Sequence, residues 1–331
     1  MSLTVHHLSP LRWAAKHHGR LARLMDWREQ RRDRPVRDQL QRELTAAFAQ
    51  NPEIPLFYHL QLETVSVCNN DCAFCPVNVH VDPRPTLYAG QPLIDKVAAE
   101  LKALDFAGRI SLFNNNEPLV DKRLPAITRQ FREACPKAEI NILTNGKLIT
   151  WDLVKQLAEA GMNHIGINNY DDDNAFIPPV AAFLEEWEAR PINAIRVVVT
   201  VRKKTIVLSN RAGDAPNKSQ SIESRPWFCQ FPFEQISINP LGEISLCCND
   251  ALYRHKLGNV LDPDQTLERI WTSPAYADVR RTLAQGRRQD IALCAGCDNS
   301  GTSGLVLADH YVVEQRQHQR PRLLRFKTAT H

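Results

Sequence analysis

An α/β fold built on a parallel sheet is predicted by two features of this chain. Apolar strand-like runs alternate with helical patterns of 10–12 residues between residue 59 and about residue 202. Crossovers of that length join parallel strands through right-handed βαβ units. The loop after the first run also carries three crowded cysteines, Cys68, Cys72 and Cys75. Parallel α/β proteins gather their chemistry at the carboxyl ends of the strands, so this loop falls on the working face.

Residues 1–50 hold ten Arg plus Lys against five Asp plus Glu, with His6, His7, His17 and His18 besides. Leu11, Ala14, Ala15, His18, Leu21 and Met25 fit one helical face, so this segment reads as a basic helical extension. Strands are expected at His59–Val67, Arg109–Phe113, Ile140–Leu143, His164–Asn168 and Ile195–Val201. The helices between them are expected at Ile94–Leu104, Leu124–Ala134, Trp151–Ala160 and Val180–Ala189. Residues 203–228 show no periodic element and read as a long connecting loop; loops of this length inside compact proteins are commonly functional or disordered. Residues 229–301 form a second cysteine-rich module, in which Asn239-Pro240-Leu241-Gly242 between alternating apolar residues signals a hairpin. Residues 302–331 end in a basic tail.

Bulk properties narrow the function classes. Hydrophobic content of 43% and charged content of 24% are those of a soluble globular protein. A net charge of +4 is too small to imply nucleic acid, which is not expected as a partner. No apolar run approaches the roughly 18 residues of a membrane span, and no signal core is present, so a cytoplasmic protein without a membrane partner is expected. Nine cysteines in that compartment argue for metal or redox chemistry over disulfides.

The first three cysteines have the spacing C-x3-C-x2-C, with Phe74 just before the third. Three thiolates can hold three corners of a cubane iron–sulfur cluster and leave one iron free. A partial zinc site is the other metal reading. The motif resembles that of the radical S-adenosylmethionine (SAM) enzymes. The resemblance implies a partial (β/α)6 TIM-type barrel over residues 51–228. It implies that the free iron binds the amino and carboxylate groups of SAM, that an electron cleaves SAM to methionine and a 5′-deoxyadenosyl radical, and that a reductant such as flavodoxin or ferredoxin supplies the electron.

On that resemblance the strand ends supply the SAM pocket. Asn115-Asn116-Glu117-Pro118 occupies the place of the family's Gly-Gly-Glu-Pro, with Asn in place of both glycines. Asn tolerates left-handed backbone better than other non-glycine residues. Thr144 and Asn145, Asn168 and Tyr170, and Thr200 offer hydroxyls and amides at the next three strands. Asp171, Asp172 and Asp173 read either as a cation or polyol site or as a turn cluster.

The second module presents Cys229, Cys247, Cys294 and Cys297, with Cys248 as a rival to Cys247. Four thiolates close either an iron–sulfur cube or a zinc tetrahedron. The segment resembles the twitch and SPASM auxiliary-cluster modules, which implies a second 4Fe–4S cluster in a small unit of hairpin plus helix. Cys135 reads as a buried structural thiol.

The resemblance then implies hydrogen abstraction from a small polyhydroxylated substrate, a sugar or aminocyclitol, and dehydrogenation with the auxiliary cluster as electron acceptor. Arg211, in the long loop, and Tyr170 are the catalytic candidates, with Arg202 a further one; an unperturbed arginine is a poor base and suits substrate orientation. Sugar epimerisation and peptide modification are the alternative radical reactions. A zinc scaffold with a basic arm for RNA is the alternative of another class.

Overall fold

The computed structural model describes residues 3–6, 53–218, 229–299 and 323–325, with scattered helical positions between 31 and 46. The helical face expected at Leu11–Met25 lies outside the described residues. Leu3–His6, ahead of that face, form a strand, β1. β2 (Glu53–Pro55) pairs antiparallel with a strand of the basic tail, Leu323–Arg325.

The core then winds as expected. β3 (His59–Leu62), α1 (Gln91–Ala103), β4 (Arg109–Ser111), α2 (Leu124–Ala134), β5 (Glu139–Thr144), α3 (Trp151–Glu159), β6 (His164–Tyr170), α4 (Pro178–Ala189) and β7 (Arg196–Arg202) follow in turn. The second module adds α5 (Phe231–Glu234), β8 (Gln235–Ile238), β9 (Glu243–Ser245), β10 (Lys256–Asn259), α6 (Leu267–Trp271), α7 (Pro274–Ala284) and α8 (Ala292–Ala295), and the tail strand is β11. Among the described residues, nine strands share one sheet in the order β1-β7-β6-β5-β4-β3-β8-β9-β10. From β7 to β8 every neighbour is parallel, and β3 through β7 lie in chain order. Chain order from β3 to β7 is the winding of a barrel, here a partial one, and with β1 and β8 at the two ends seven strands run parallel among the described residues.

The strands separate two layers by alternation. Leu60, Leu62, Ile110, Ile140, Ile142, Ile165, Ile167, Val197 and Val199 are all buried toward the helices. The opposite faces carry His59, Gln61, Ser111, Asn141 and Ser237, joined by hydrogen bonds within the barrel. His59 Nε2 lies 2.7 Å from Ser111 Oγ, and burial, helped by Arg109, lowers its pKa to about 3. The interior of the barrel is thus a polar floor beneath the strand ends.

Local signals set the helix limits. α2 has Pro125 in its first turn and buries Leu124, Ile127, Thr128 and Phe131 at helical spacing. Thr150 caps α3 by accepting a bond from Leu153 N, and Gly161, at φ 96°, follows its end. The expected hairpin forms between β8 and β9: Asn239 Oδ1 accepts bonds from the amides of Leu241 and Glu243, and Gly242 sits at φ 80°.

The expected module boundary at residue 229 is not a boundary in the sheet. β8 pairs parallel with β3 over four residues, His59 to Leu62 against Gln235 to Ile238, and belongs to the barrel. β9 and β10 extend that edge antiparallel. Arg280 of α7 is fully buried, lies over the rings of Trp271 and Tyr276, and donates to the carbonyls of Pro232 and Trp271. No described helix is long and apolar enough to cross a membrane.

One close approach offers a test of this packing. A Cβ on Gly108 would stand 2.1 Å from the carbonyl oxygen of Tyr58, the acceptor for Arg109 N. G108A is expected to cost about 3 kcal/mol or more by overpacking, read from chemical denaturation of the full chain. A wild-type midpoint would refute the close contact between these backbones.

Candidate active site

The loop after β3 is shaped by asparagines. Asn78 donates to the carbonyls of Cys72 and Cys75 at 3.2 and 2.8 Å, and Asn70 Nδ2 lies 3.1 Å from Cys72 Sγ. Ala73 N donates to Lys204 O, and the Lys204 ammonium pairs with Asp71 at 3.0 Å, which pins the loop to the end of β7. Cys68, Cys72 and Cys75 line one cavity of ≈ 350 Å³. Their charges are felt by one another: burial raises the Cys68 thiol to about 12, and Glu117 and Cys75 push the same way. Burial, then Cys75 and Cys68, raise Cys72 further.

The strand ends complete the cavity. Phe74, Asn115, Asn116, Glu117, Thr144, Asn145, Asn168 and Tyr170 all line it, as expected from the sequence. Two expected residues do not. Pro118 is buried at the start of the 3-10 turn Pro118–Val120. Thr200 shares a strand face with Arg202, which does line the cavity, but lies one pleat deeper in β7.

Glu117 also braces the cavity. It is buried, and its oxygens accept bonds from Leu119 N, Thr144 Oγ1 at 2.6 Å and Asn145 N at 2.7 Å. The carboxylate therefore ties the end of β4 to the end of β5. Asn145 Nδ2, so placed, donates to Asn69 Oδ1 at 2.7 Å and lies 3.7 Å from Cys68 Sγ. Gly146 makes this turn possible at φ 79°. Tyr170 packs on Phe74 with ring centroids 5.6 Å apart, and burial pushes its phenol well above the usual range. It is a neutral wall and hydrogen-bonding group, poorly suited to taking a proton. Asp171 and Asp172 accept bonds from the backbone of their own turn and of Lys204 and Thr205, so they are turn residues.

Arg211 reaches the cavity from the long loop, in the 3-10 turn Arg211–Gly213. Arg211 and Ala212 have φ of 51° and 57°, followed by Gly213 at 98°. Left-handed non-glycine residues cost about 1–3 kcal/mol each and mark sites where geometry is imposed. The imposing contacts are visible. Asn210 N donates to Asp298 Oδ1 at 2.7 Å, Asn210 Nδ2 to Gly296 O at 2.6 Å, and Asp298 N returns a bond to Asn210 Oδ1. The Arg211 guanidinium donates to Asn115 Oδ1; burial raises the thiols of both Cys75 and Cys248, and Arg211 pulls against that rise in each. It stands between the two cysteine sets.

Sequence reasoning missed Arg84 and Glu63. Arg84, in the loop between the cysteines and α1, donates to Glu63 Oε2 at 3.2 Å, Ser66 O at 2.5 Å and Asn115 O at 2.8 Å, and pairs with Asp82 at 3.0 Å. Glu63 Oε1 accepts Asn115 N at 2.8 Å. Burial raises Glu63 to about 7 against the pull of Arg84. No motif marks this pair; an acid immediately after an alternating strand is the sole local hint.

Cys229, Cys247, Cys294 and Cys297 are buried together. Burial raises Cys229 to about 11 and Cys294 to about 12, with neighbouring thiols adding to the effect. Cys248 differs: it lines the cavity, and Gln235 Nε2 lies 3.2 Å from its Sγ. Cys135 is buried at the end of α2, away from both sets, as expected of a structural thiol. Among the described residues, no three His, Cys, Asp or Glu side chains converge as a single ion requires. The donor sets fit, three soft ligands facing a cavity and four enclosed.

Residues 62–180 match the Radical SAM superfamily, and residues 229–298 match the SPASM family, an iron–sulfur cluster-binding domain. The chain belongs to the radical SAM superfamily, carries a C-terminal SPASM-type module, and is an oxidoreductase that uses SAM and 4Fe–4S clusters. These matches displace the zinc-scaffold alternative. Particular relatives sharpen the class. The S-adenosyl-L-methionine-dependent 2-deoxy-scyllo-inosamine dehydrogenase of Niallia circulans is 29% identical over 245 residues, 74% of this chain and 94% of that protein. The crystal structure of BtrN in complex with AdoMet and 2-DOIA superposes with a TM-score of 0.64 at 27% identity, covering 76% of this chain and 97% of BtrN. The Fe-coproporphyrin III synthase of Methanosarcina barkeri (strain Fusaro / DSM 804) is 30% identical over 104 residues, 30% of this chain and 24% of that protein.

The raised pKa of Glu63 has a definite sign for stability. The unfolded carboxyl releases its proton near 4.5, while the folded one holds it to about 7, so stability falls as pH rises between these values. E63Q is expected to lack this component when urea midpoints are compared on both sides of the window. An unchanged pH slope in E63Q would remove Glu63 as its source.

Proposed function

We propose that this chain oxidises one alcohol carbon of a small polyhydroxylated metabolite, a cyclitol or sugar, to a ketone. The observation that carries the reading is a single cavity, with the Cys68–Cys75 loop on one side and Arg211 and Cys248, beside the enclosed cysteines, on the other. Substrate bound there would face both sets. The dehydrogenase activity of the Niallia circulans relative, over 94% of its length, supports the same chemistry.

In this reading Cys68, Cys72 and Cys75 hold the open cluster, and Cys229, Cys247, Cys294 and Cys297 hold the closed one. Residues 51–228 act as the radical SAM core and 229–301 as the electron-accepting module. When bound, the open cluster with SAM supplies the species that removes a hydrogen atom, and the closed cluster supplies an acceptor for the electron that follows. Asn115, Asn116, Thr144, Asn145 and Asn168 offer polar contacts to SAM, and Phe74 with Tyr170 forms a wall that excludes water. Arg211 orients the reacting hydroxyl. Its guanidinium lies where negative charge grows on that oxygen as the proton leaves, which lowers the cost of the loss. A low-potential reductant such as flavodoxin or ferredoxin is required, which suits the cytoplasm.

The substrate class is tested with carbon-deuterated 2-deoxy-scyllo-inosamine and related cyclitols. Deuterium is expected in 5′-deoxyadenosine, with one SAM consumed per ketone formed. Product epimerised at the labelled carbon, without ketone, would overturn the oxidation. For Arg211, R211A is expected to lower turnover about a hundredfold at unchanged iron content. The ligand assignment predicts that C247A falls from about eight to about four irons per chain, while C248A keeps about eight. The reverse pattern would move the ligand to Cys248.

A further inference from the structure

Arg288 is buried to 1% exposure in the 3-10 turn Arg288–Asp290, between α7 and α8. A buried guanidinium needs acceptors or a counter-charge. Its Nη1 donates to the carbonyl of Asn299 at 2.8 Å. Its Nε has no acceptor among the described residues. The ionisable groups that act on it are cysteines: Cys229, Cys297 and Cys294, with the Cys297 thiol within hydrogen-bonding reach. Arg280 makes the contrast, since two aromatic faces and two carbonyls surround its charge.

We propose that Arg288 is the built-in counter-charge of the four-cysteine set, a positioning residue that favours the reduced form of the cluster held there. The proposal rests on the assignment of Cys229, Cys247, Cys294 and Cys297 to a closed cluster. Four thiolates outweigh the positive charge of an oxidised four-iron core, and one-electron reduction adds a further negative charge. A cation buried beside these sulfurs, away from water, lowers the cost of that charge. The electron added is the second to leave the substrate, after the hydrogen atom, while the hydroxyl proton passes to solvent. Arg288 touches no substrate; it makes the module a better sink for that electron.

The test uses the full chain with C68A, C72A and C75A, which isolates the closed cluster, and reads iron content and midpoint potential by spectroscopically monitored titration. R288Q is expected to shift the reduction equilibrium tenfold or more toward the oxidised form, a midpoint lower by about 59 mV or more, while R288K stays closer to the parent. A loaded R288Q with the parent midpoint overturns the proposal. If R288Q fails to hold iron while R288K holds it, the charge is required and the proposal stands; if neither holds iron, Arg288 serves packing and the proposal falls. A parent triple variant without iron would instead refute the ligand assignment, and Arg288's role with it.

Discussion

The working face of this enzyme depends on one half-buried guanidinium. Arg84 gathers the carboxylate of Glu63, the carbonyls of Ser66 and Asn115, and the carbonyl of Ala251 from the second module. Each acceptor lies at a place where the chain has left regular structure and its backbone has lost its ladder partners. With Arg84 in place, the end of β3, the end of β4 and the second module share one hub. Removing it would leave the buried Glu63 carboxyl without its partner and would release the loop that carries the three cysteines.

The cavity is organised by groups whose hydrogen-bonding capacity is spent on one another. Glu117 is consumed by two strand ends, and Asn78 by the cysteine loop. What remains to face a ligand is a set of thiols, amides and guanidiniums. Such a surface suits a polar, hydroxyl-rich molecule, and the strained turn at Arg211 gives it a fixed cationic end. The strain is sustained by the reciprocal bonds between Asn210 and Asp298, so Arg211 is anchored to the segment that bears Cys294 and Cys297.

Much of this was legible in the sequence where the signal is local. α2 runs over the expected Leu124–Ala134, because its proline, its apolar spacing and its end all lie within the segment. The two cysteine groupings were legible from spacing, and the β8–β9 hairpin from Asn-Pro-Leu-Gly. Other features were not local. The strand expected to reach Val67 stops at Leu62, because the residues beyond turn away to meet Arg84 and the loop at Leu87. Arg84 itself bonds partners 18, 21, 31 and 167 positions away, which no periodicity records. Pro118 and Thr200 lie outside the cavity lining, a depth that position near a strand end does not specify.

The membership of β8 in the barrel sheet carries a consequence for electron flow. A module hung on a flexible linker would bring its acceptor near and far, and transfer would wait on that motion. Here β8, which leads through its hairpin with β9 toward Cys247, is hydrogen-bonded along β3, the strand that leads into Cys68. The cysteine loop and the hairpin of the second module therefore grow from one sheet, and the place of Cys247 relative to the cavity is a property of the fold.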